Sequence, residues 1–193
     1  MCRVLDAIHE MSAVALGLPA RFFEPFYTRD YPADCGELCG GIVVAKYYPP
    51  PVAGSGGSPL RYAAHTDYTG WTILKPDDVD ASPGANGLQV LLKSGAWHSV
   101  TPRDDGFIVN SGTMYEDWTN GRWMSTVHRV VPPEPGSTAA ATARLSIPFF
   151  AGPHSEALID TLPTCLSDEK PPRLGEPITA GAHLERSLKM TQA

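Results

Sequence analysis

The 193-residue chain has no run approaching the ~18–20 consecutive apolar residues that a membrane-crossing helix needs. It also lacks basic excess. Fifteen Lys and Arg stand against 21 Asp and Glu, for a net charge of −6. No basic cluster offers a footprint for a phosphate backbone, which argues against a nucleic-acid partner. Cysteine is scarce: Cys2, Cys35, Cys39 and Cys165. Cys35 and Cys39 have no second close pair to complete a zinc site, and free thiols in a reducing compartment are expected. The opening MCRVLDAIHEMSAVALGL is broken by Asp6, His9 and Glu10 and is not a secretory signal. These absences together predict a cytoplasmic protein. No internal repeat is present, which excludes a solenoid.

What is there suffices for a folded core. Hydrophobic residues make up 42% and charged residues 19%, outside the disordered range. Eighteen Gly and 19 Pro are too many for a helix bundle. Val4, Ile8, Met11, Ala15 and Leu16 predict a helix over residues 1–17, stopped at Gly17. Residues 20–33 suggest a short helix or turn. The texture changes at Gly40, dividing a helical segment, 1–39, from a main domain, 40–193. GGIVVAKYY reads as a strand closed by Pro49, and 52–59 as a flexible loop. Further short strands are expected at 61–65, 70–75, 87–92, 96–100, 106–111, 122–131 and 143–151. Turn-forming runs between them predict an all-β sandwich or barrel. Asn120-Gly121, within WTNGRW, is the strongest hairpin signal. PGSTAAATA, 135–143, reads as a mobile loop. A short helix or turn is expected near 155–161 and a helix near 179–190.

His65 and Asp67, in YAAHTDYTGW, are two residues apart, so an extended backbone projects both from one face. In RWMSTVHRVV, Met124, Thr126, His128 and Val130 share a mainly apolar face, which points His128 inward. Two histidines and one carboxylate form the facial set that holds Fe(II) and leaves positions open for a co-substrate and O2. In ARLSIPFF, Arg144 and Ser146 share one strand face. An inward Arg needs an anion, and a small dicarboxylate would supply one; an internal Asp or Glu, or an outward-facing Arg144, is the alternative. Glu116 and Asp117 read as solvated turn residues, and His9, His98, His154 and His183 as structural or surface histidines.

The set HTD (65–67), NSGTMYEDWTNGRWMSTVHRVV (110–131), RLSIPFF (144–150) and ITAGAHL (178–184) resembles the isopenicillin N synthase-like family of non-haem Fe(II), 2-oxoglutarate-dependent oxygenases. Sixty residues separate Asp67 from His128, an interval that fits the family's spacing. The resemblance implies a mainly β fold, a double-stranded β-helix or jelly roll, with flanking N- and C-terminal helices. It implies His65, Asp67 and His128 as iron ligands, and Arg144 and Ser146 as holders of the far carboxylate of 2-oxoglutarate. Tyr47, in AKYYPP, would touch the same co-substrate, and Thr72, Leu74 and Phe149 would line the pocket. The implied activity is a dioxygenase that hydroxylates, desaturates or cyclises a small organic molecule and releases succinate and CO2.

Two departures stand out. The family usually carries a further region ahead of the segment matching Met1, so a fragment, a truncated gene model or a minimal relative is expected. The interval from His128 to Arg144 is lengthened by PPEPGSTAAATA, an insertion that strand pairing should tolerate. Three competing readings remain at this level. One is an iron oxidase that dispenses with 2-oxoglutarate, as isopenicillin N synthase does. The second is a catalytically silent jelly-roll binding module. The third, a zinc hydrolase, lacks an obvious general base beside the ligand set. The substrate and the oligomeric state are not legible.

Overall fold

The strands expected from Gly40 onward pair into two antiparallel sheets. The computed structural model describes residues 1–27, 40–50, 60–76, 86–134 and 137–192. Helix α1 (Cys2–Ala15) and a 3-10 turn (Glu24–Phe26) precede the sheets. Strands β1 (Gly41–Val43) and β2 (Lys46–Tyr48) both pair with β9 (Arg144–Ala151), which pairs on its other side with β4 (Trp71–Pro76). β4 pairs in turn with β7 (Ile108–Ser111) to complete a five-stranded sheet. The second sheet runs β3 (Tyr62–His65), β8 (His128–Val130), β5 (Leu88–Leu91), β6 (Trp97–Ser99). One cavity is lined from both sheets, so they face each other. Successive strands fall in alternate sheets over much of this order. That is the jelly roll expected from the motifs.

GGIVVAKYY becomes two strands, but their register against β9 is unbroken: Val43 faces Phe149 and Lys46 faces Ser146. The other strand expectations hold to within a few residues, with one exception. Residues 122–127 are not strand, and β8 begins at His128.

The Asn120-Gly121 hairpin is not formed. Residues Thr113–Trp118 make helix α2 instead, and both turn residues have positive φ, 53° and 70°. The same left-handed pair that closes a hairpin can close a helix. Here Gly121 N–H donates to Glu116 O at 2.6 Å. Packing decides between the two uses: Met114, Tyr115 and Trp118, at helical spacing, are buried together against Phe23, Ile159 and Leu162. Asn120 is also buried. Its Nδ2 reaches Cys165 O and Lys170 O at 3.3 and 3.4 Å, and its Oδ1 accepts from Arg173 N–H at 3.0 Å. Asn120 thereby ties down the C-terminal chain.

Part of the expected loop at 135–143 is a short helix, α3 (Thr138–Ala141), whose Ser137 hydroxyl accepts from Ala140 N–H at 3.2 Å. β10 (Leu158–Ile159) pairs with β11 (Ile178–Thr179), and α4 (Ala180–Gln192) follows. The loop expected at 52–59, the end of the helix or turn expected over 20–33, most of the turn-forming stretch between the strands expected at 70–75 and 87–92, and Cys35 and Cys39 lie outside the described residues. Cys2 and Cys165 are free thiols.

Helix α1 forms as its periodicity predicts, but the buried stripe is Leu5, His9, Ser12, Ala13 and Leu16. Met11 lies outside it, 64% exposed. Leu5 packs on the outer face of the five-stranded sheet with Ile73, Phe149 and Ala151. Phe149 therefore faces away from the cavity, and Phe150 lines it. Strand alternation is the cause: Arg144, Ser146, Pro148 and Phe150 share one face of β9, and Phe149 belongs to the other.

Candidate active site

The cavity between the sheets measures about 430 Å³. The five-stranded sheet contributes Tyr48, Thr72, Leu74, Ser146 and Phe150 to its wall, and the other sheet contributes His65, Leu88, Val90, His128 and Val130. Pairing of β3 with β8 sets His65 opposite His128, their ring centroids 4.2 Å apart. Asp67, just past the end of β3, is buried. Its Oδ1 lies 3.8 Å from the Nε2 atoms of both His65 and His128. One ligand atom from each of the three falls within 4.8 Å of the others.

Hydrogen bonds aim each of these atoms. His65 Nδ1 lies 2.8 Å from Ala63 O, and His128 Nδ1 lies 3.0 Å from Thr126 O. A carbonyl only accepts, so each Nδ1 carries the proton and each Nε2 presents its lone pair to the cavity. Burial holds the His65 imidazole below its ordinary pKa, with nearby His128 acting in the same sense against the Ala63 hydrogen bond. The neutral form is thus favoured. Asp67 Oδ2 accepts from Thr72 Oγ1 at 2.6 Å and from Asn110 Nδ2 at 2.7 Å, which leaves Oδ1 facing the histidines.

The backbone around Asp67 is clamped as well. Thr113 N–H donates to Asp67 O at 2.8 Å, and Ser125 Oγ approaches the same carbonyl at 3.4 Å. A Cβ at Gly112 would meet Thr69 O at 2.1 Å, so only glycine lets α2 start this close to the site.

Arg144 and Ser146 are both buried on the cavity-side face of β9. Ser146 lines the cavity, and the Arg144 guanidinium lies 4.6 Å from the Tyr48 ring centroid. Tyr47 is a correction. Its side chain is 67% exposed on the outer face of β2, and Tyr48, paired directly with Arg144, points inward. Adjacent strand residues take opposite faces, so only one of the two tyrosines can reach the cavity.

Glu116 and Asp117 are a second correction. They are largely shielded on α2. Arg173 pairs with Glu116 at 2.9 Å and with Asp117 at 3.4 Å, while His183 Nε2 meets Asp117 at 3.0 Å. Burial opposes ionisation of Asp117, but His183 and Arg173 outweigh it and hold the carboxyl below its usual range. Glu116 Oε2 also accepts from Ser125 N–H at 2.9 Å, which fixes the segment leading into His128.

Sequence reasoning assigned no role to Asn110 or Lys46. A usable signal existed for Asn110: a lone amide in the apolar run IVNS, directly opposite Thr72 across β4 and β7.

Residues 39–153 match the profile of the 2OG-Fe(II) oxygenase superfamily. The chain belongs to this superfamily. Gibberellin 2-beta-dioxygenase 4 of Arabidopsis thaliana is 34% identical over 131 residues, 68% of this chain and 37% of that protein. 1-Aminocyclopropane-1-carboxylate oxidase 1 of Oryza sativa subsp. japonica is 36% identical over 172 residues, 87% of this chain and 45% of that protein. Among solved structures, a full-length Neurospora crassa protein in complex with alpha-KG and thymine superposes with a TM-score of 0.78 at 30% identity. That likeness covers 98% of this chain and 54% of the Neurospora chain. The chain thus spans roughly two-fifths of the two curated relatives. Membership agrees with the jelly roll and with Fe(II), 2-oxoglutarate and O2 as the cofactor class of the superfamily. The lengthened interval after His128 falls between strands of different sheets in this oxygenase-family chain, and both sheets pair intact around it.

Proposed function

We propose that the chain is an Fe(II)- and 2-oxoglutarate-dependent dioxygenase acting on a small organic metabolite. One observation carries the reading: two imidazole Nε2 atoms and Asp67 Oδ1 converge on one side of an apolar cavity, each with its other polar atom already hydrogen-bonded. A neutral His pair with one carboxylate suits Fe(II), and the set leaves coordination positions open. His65, Asp67 and His128 would hold the metal. Arg144 and Ser146 would bind the far carboxylate of 2-oxoglutarate through charge-assisted hydrogen bonds, with Tyr48 in place of Tyr47 bracing the guanidinium. Together, bound Fe(II) and 2-oxoglutarate supply O2 activation and oxidation of a substrate C–H bond, with succinate and CO2 as co-products.

The chain's own residues orient and shield that chemistry. Thr72 and Asn110 fix the rotation of Asp67, while Ala63 O and Thr126 O fix the imidazole tautomers. Leu74, Leu88, Val90 and Val130 keep the cavity wall dry.

On this reading residues 40–193 are the oxygenase domain and 1–39 an N-terminal helical segment, whose described part, 1–27, packs against it. No helix among the described residues is long and apolar enough to cross a membrane. A cytoplasmic location, with neither membrane nor nucleic acid as a partner, is part of the same proposal.

Anaerobic titration with Fe(II) and 2-oxoglutarate tests the proposal. The visible charge-transfer band of the chelate should appear with wild type and be absent with Asp67→Ala. Keto-acid turnover should release succinate in proportion to substrate oxidised. Oxidation without succinate would establish the oxidase reading, and no band at all would leave a binding module.

A further inference from the structure

The cavity holds a cation outside the set proposed for the metal and the co-substrate. Lys46 lines it from β2, on the same strand face as Tyr48 and directly opposite Ser146. Its Nζ sits 3.8 Å over the Tyr62 ring, and that ring lies edge-on to His65 with centroids 4.6 Å apart. The ammonium is therefore held on the His65 side of the cavity, whereas Arg144 lies against Tyr48. Tyr62 is 41% exposed, so this side also reaches the mouth.

Charge balance gives Lys46 its meaning. Fe(II), the Asp67 carboxylate, doubly ionised 2-oxoglutarate and Arg144 together sum to zero, with both imidazoles neutral. Lys46 adds one positive charge to that neutral set. Asp67 is the one carboxylate among the described residues that line the cavity, and it is committed to Thr72 and Asn110. Much of the remaining wall is aliphatic or aromatic, where an unpaired ammonium is poorly stabilised except by an anion or a π face. Tyr62 supplies the π face.

We infer that Lys46 selects a primary substrate bearing a carboxylate, placed with its anionic end at Lys46 and its apolar body against Leu88, Val90 and Val130. The inference rests on the proposed oxygenase reading and deepens it.

The test is a binding measurement on the 193-residue chain, loaded anaerobically with Fe(II) and saturating 2-oxoglutarate. Benzoate, phenylacetate, 3-phenylpropionate and cyclohexanecarboxylate are each compared with the matching primary amide. The readouts are perturbation of the chelate band and titration calorimetry. For wild type, at least one carboxylate should bind about tenfold or more tighter than its amide. In Lys46→Met that preference should shrink to within about threefold, and Lys46→Arg should retain it. The 2-oxoglutarate affinity of Lys46→Met should stay within about threefold of wild type. Equal binding of every acid and amide by wild type overturns the inference, as does a preference that survives in Lys46→Met. Loss of 2-oxoglutarate affinity in Lys46→Met overturns it too, by assigning the lysine to the keto acid. Absence of the chelate band in wild type is a separate result: it removes the oxygenase reading, and the inference with it.

Discussion

Replacing the two donors that hold Asp67 is the most direct probe of the metal set. Thr72→Val keeps the shape of a β-branched side chain and deletes one hydroxyl; Asn110→Leu deletes one amide. Each removes a hydrogen bond of 2.6 or 2.7 Å to the same oxygen, Oδ2 of a buried carboxylate. A hydrogen bond to a charged acceptor contributes about 1.5–3 kcal/mol, and loss of an outer-shell partner typically costs about 10–100-fold in metal affinity. After either single change one donor still fixes the carboxylate, so Fe(II) affinity should fall about 10-fold. With both gone the carboxylate can rotate, and the loss should reach about 100-fold. Anaerobic Fe(II) titration of the two single variants and the double variant measures this directly. Near-UV circular dichroism confirms that each variant has kept its packing. If all three bind Fe(II) within about threefold of wild type while remaining folded, Asp67 is not a ligand presented by these bonds, and the proposed centre fails.

Three further outcomes follow from particular contacts. His9 is buried between Phe23 and Tyr27, and burial lowers its pKa to about 4, against a smaller opposing effect of Asp6. The unfolded chain therefore takes up a proton first as pH falls. Stability is intact above pH 6.5 and should decline by about 3 kcal/mol between pH 6.5 and 4; urea unfolding across that range should show it, and His9→Phe should flatten it. Tyr48→Phe should leave 2-oxoglutarate affinity nearly intact, because it keeps the ring against which Arg144 lies. Tyr48→Ala should weaken it about tenfold and Tyr47→Ala not at all, as read from the chelate band. Asp117→Asn should cost about 1–3 kcal/mol in urea unfolding, mainly at buried His183, since Arg173 and Arg186 remain half solvated. Because the Asp117 pKa is depressed, that contribution should be present above pH 3.8 and fade as pH falls below it.

Sequence by itself determined what local periodicity encodes. His65 and Asp67 share a side because they are two apart near a strand end, and Arg144 and Ser146 share the inner face of β9 for the same reason. The helices at both ends and most strand positions follow from apolar spacing and turn chemistry. Tertiary structure decided what depends on a partner strand. Of the adjacent tyrosines, Tyr48 and not Tyr47 faces the cavity, because β2 is registered with Tyr48 opposite Arg144; a slip of one residue would exchange them. Asn120-Gly121 caps a helix rather than a hairpin because Met114, Tyr115 and Trp118 find a buried surface on that side. Asn110 and Thr72 meet at Asp67, and Lys46 enters the cavity, only once two sheets have closed over them. Periodicity along one chain says which residues share a face. It takes the register between strands of that fold to say what each face meets.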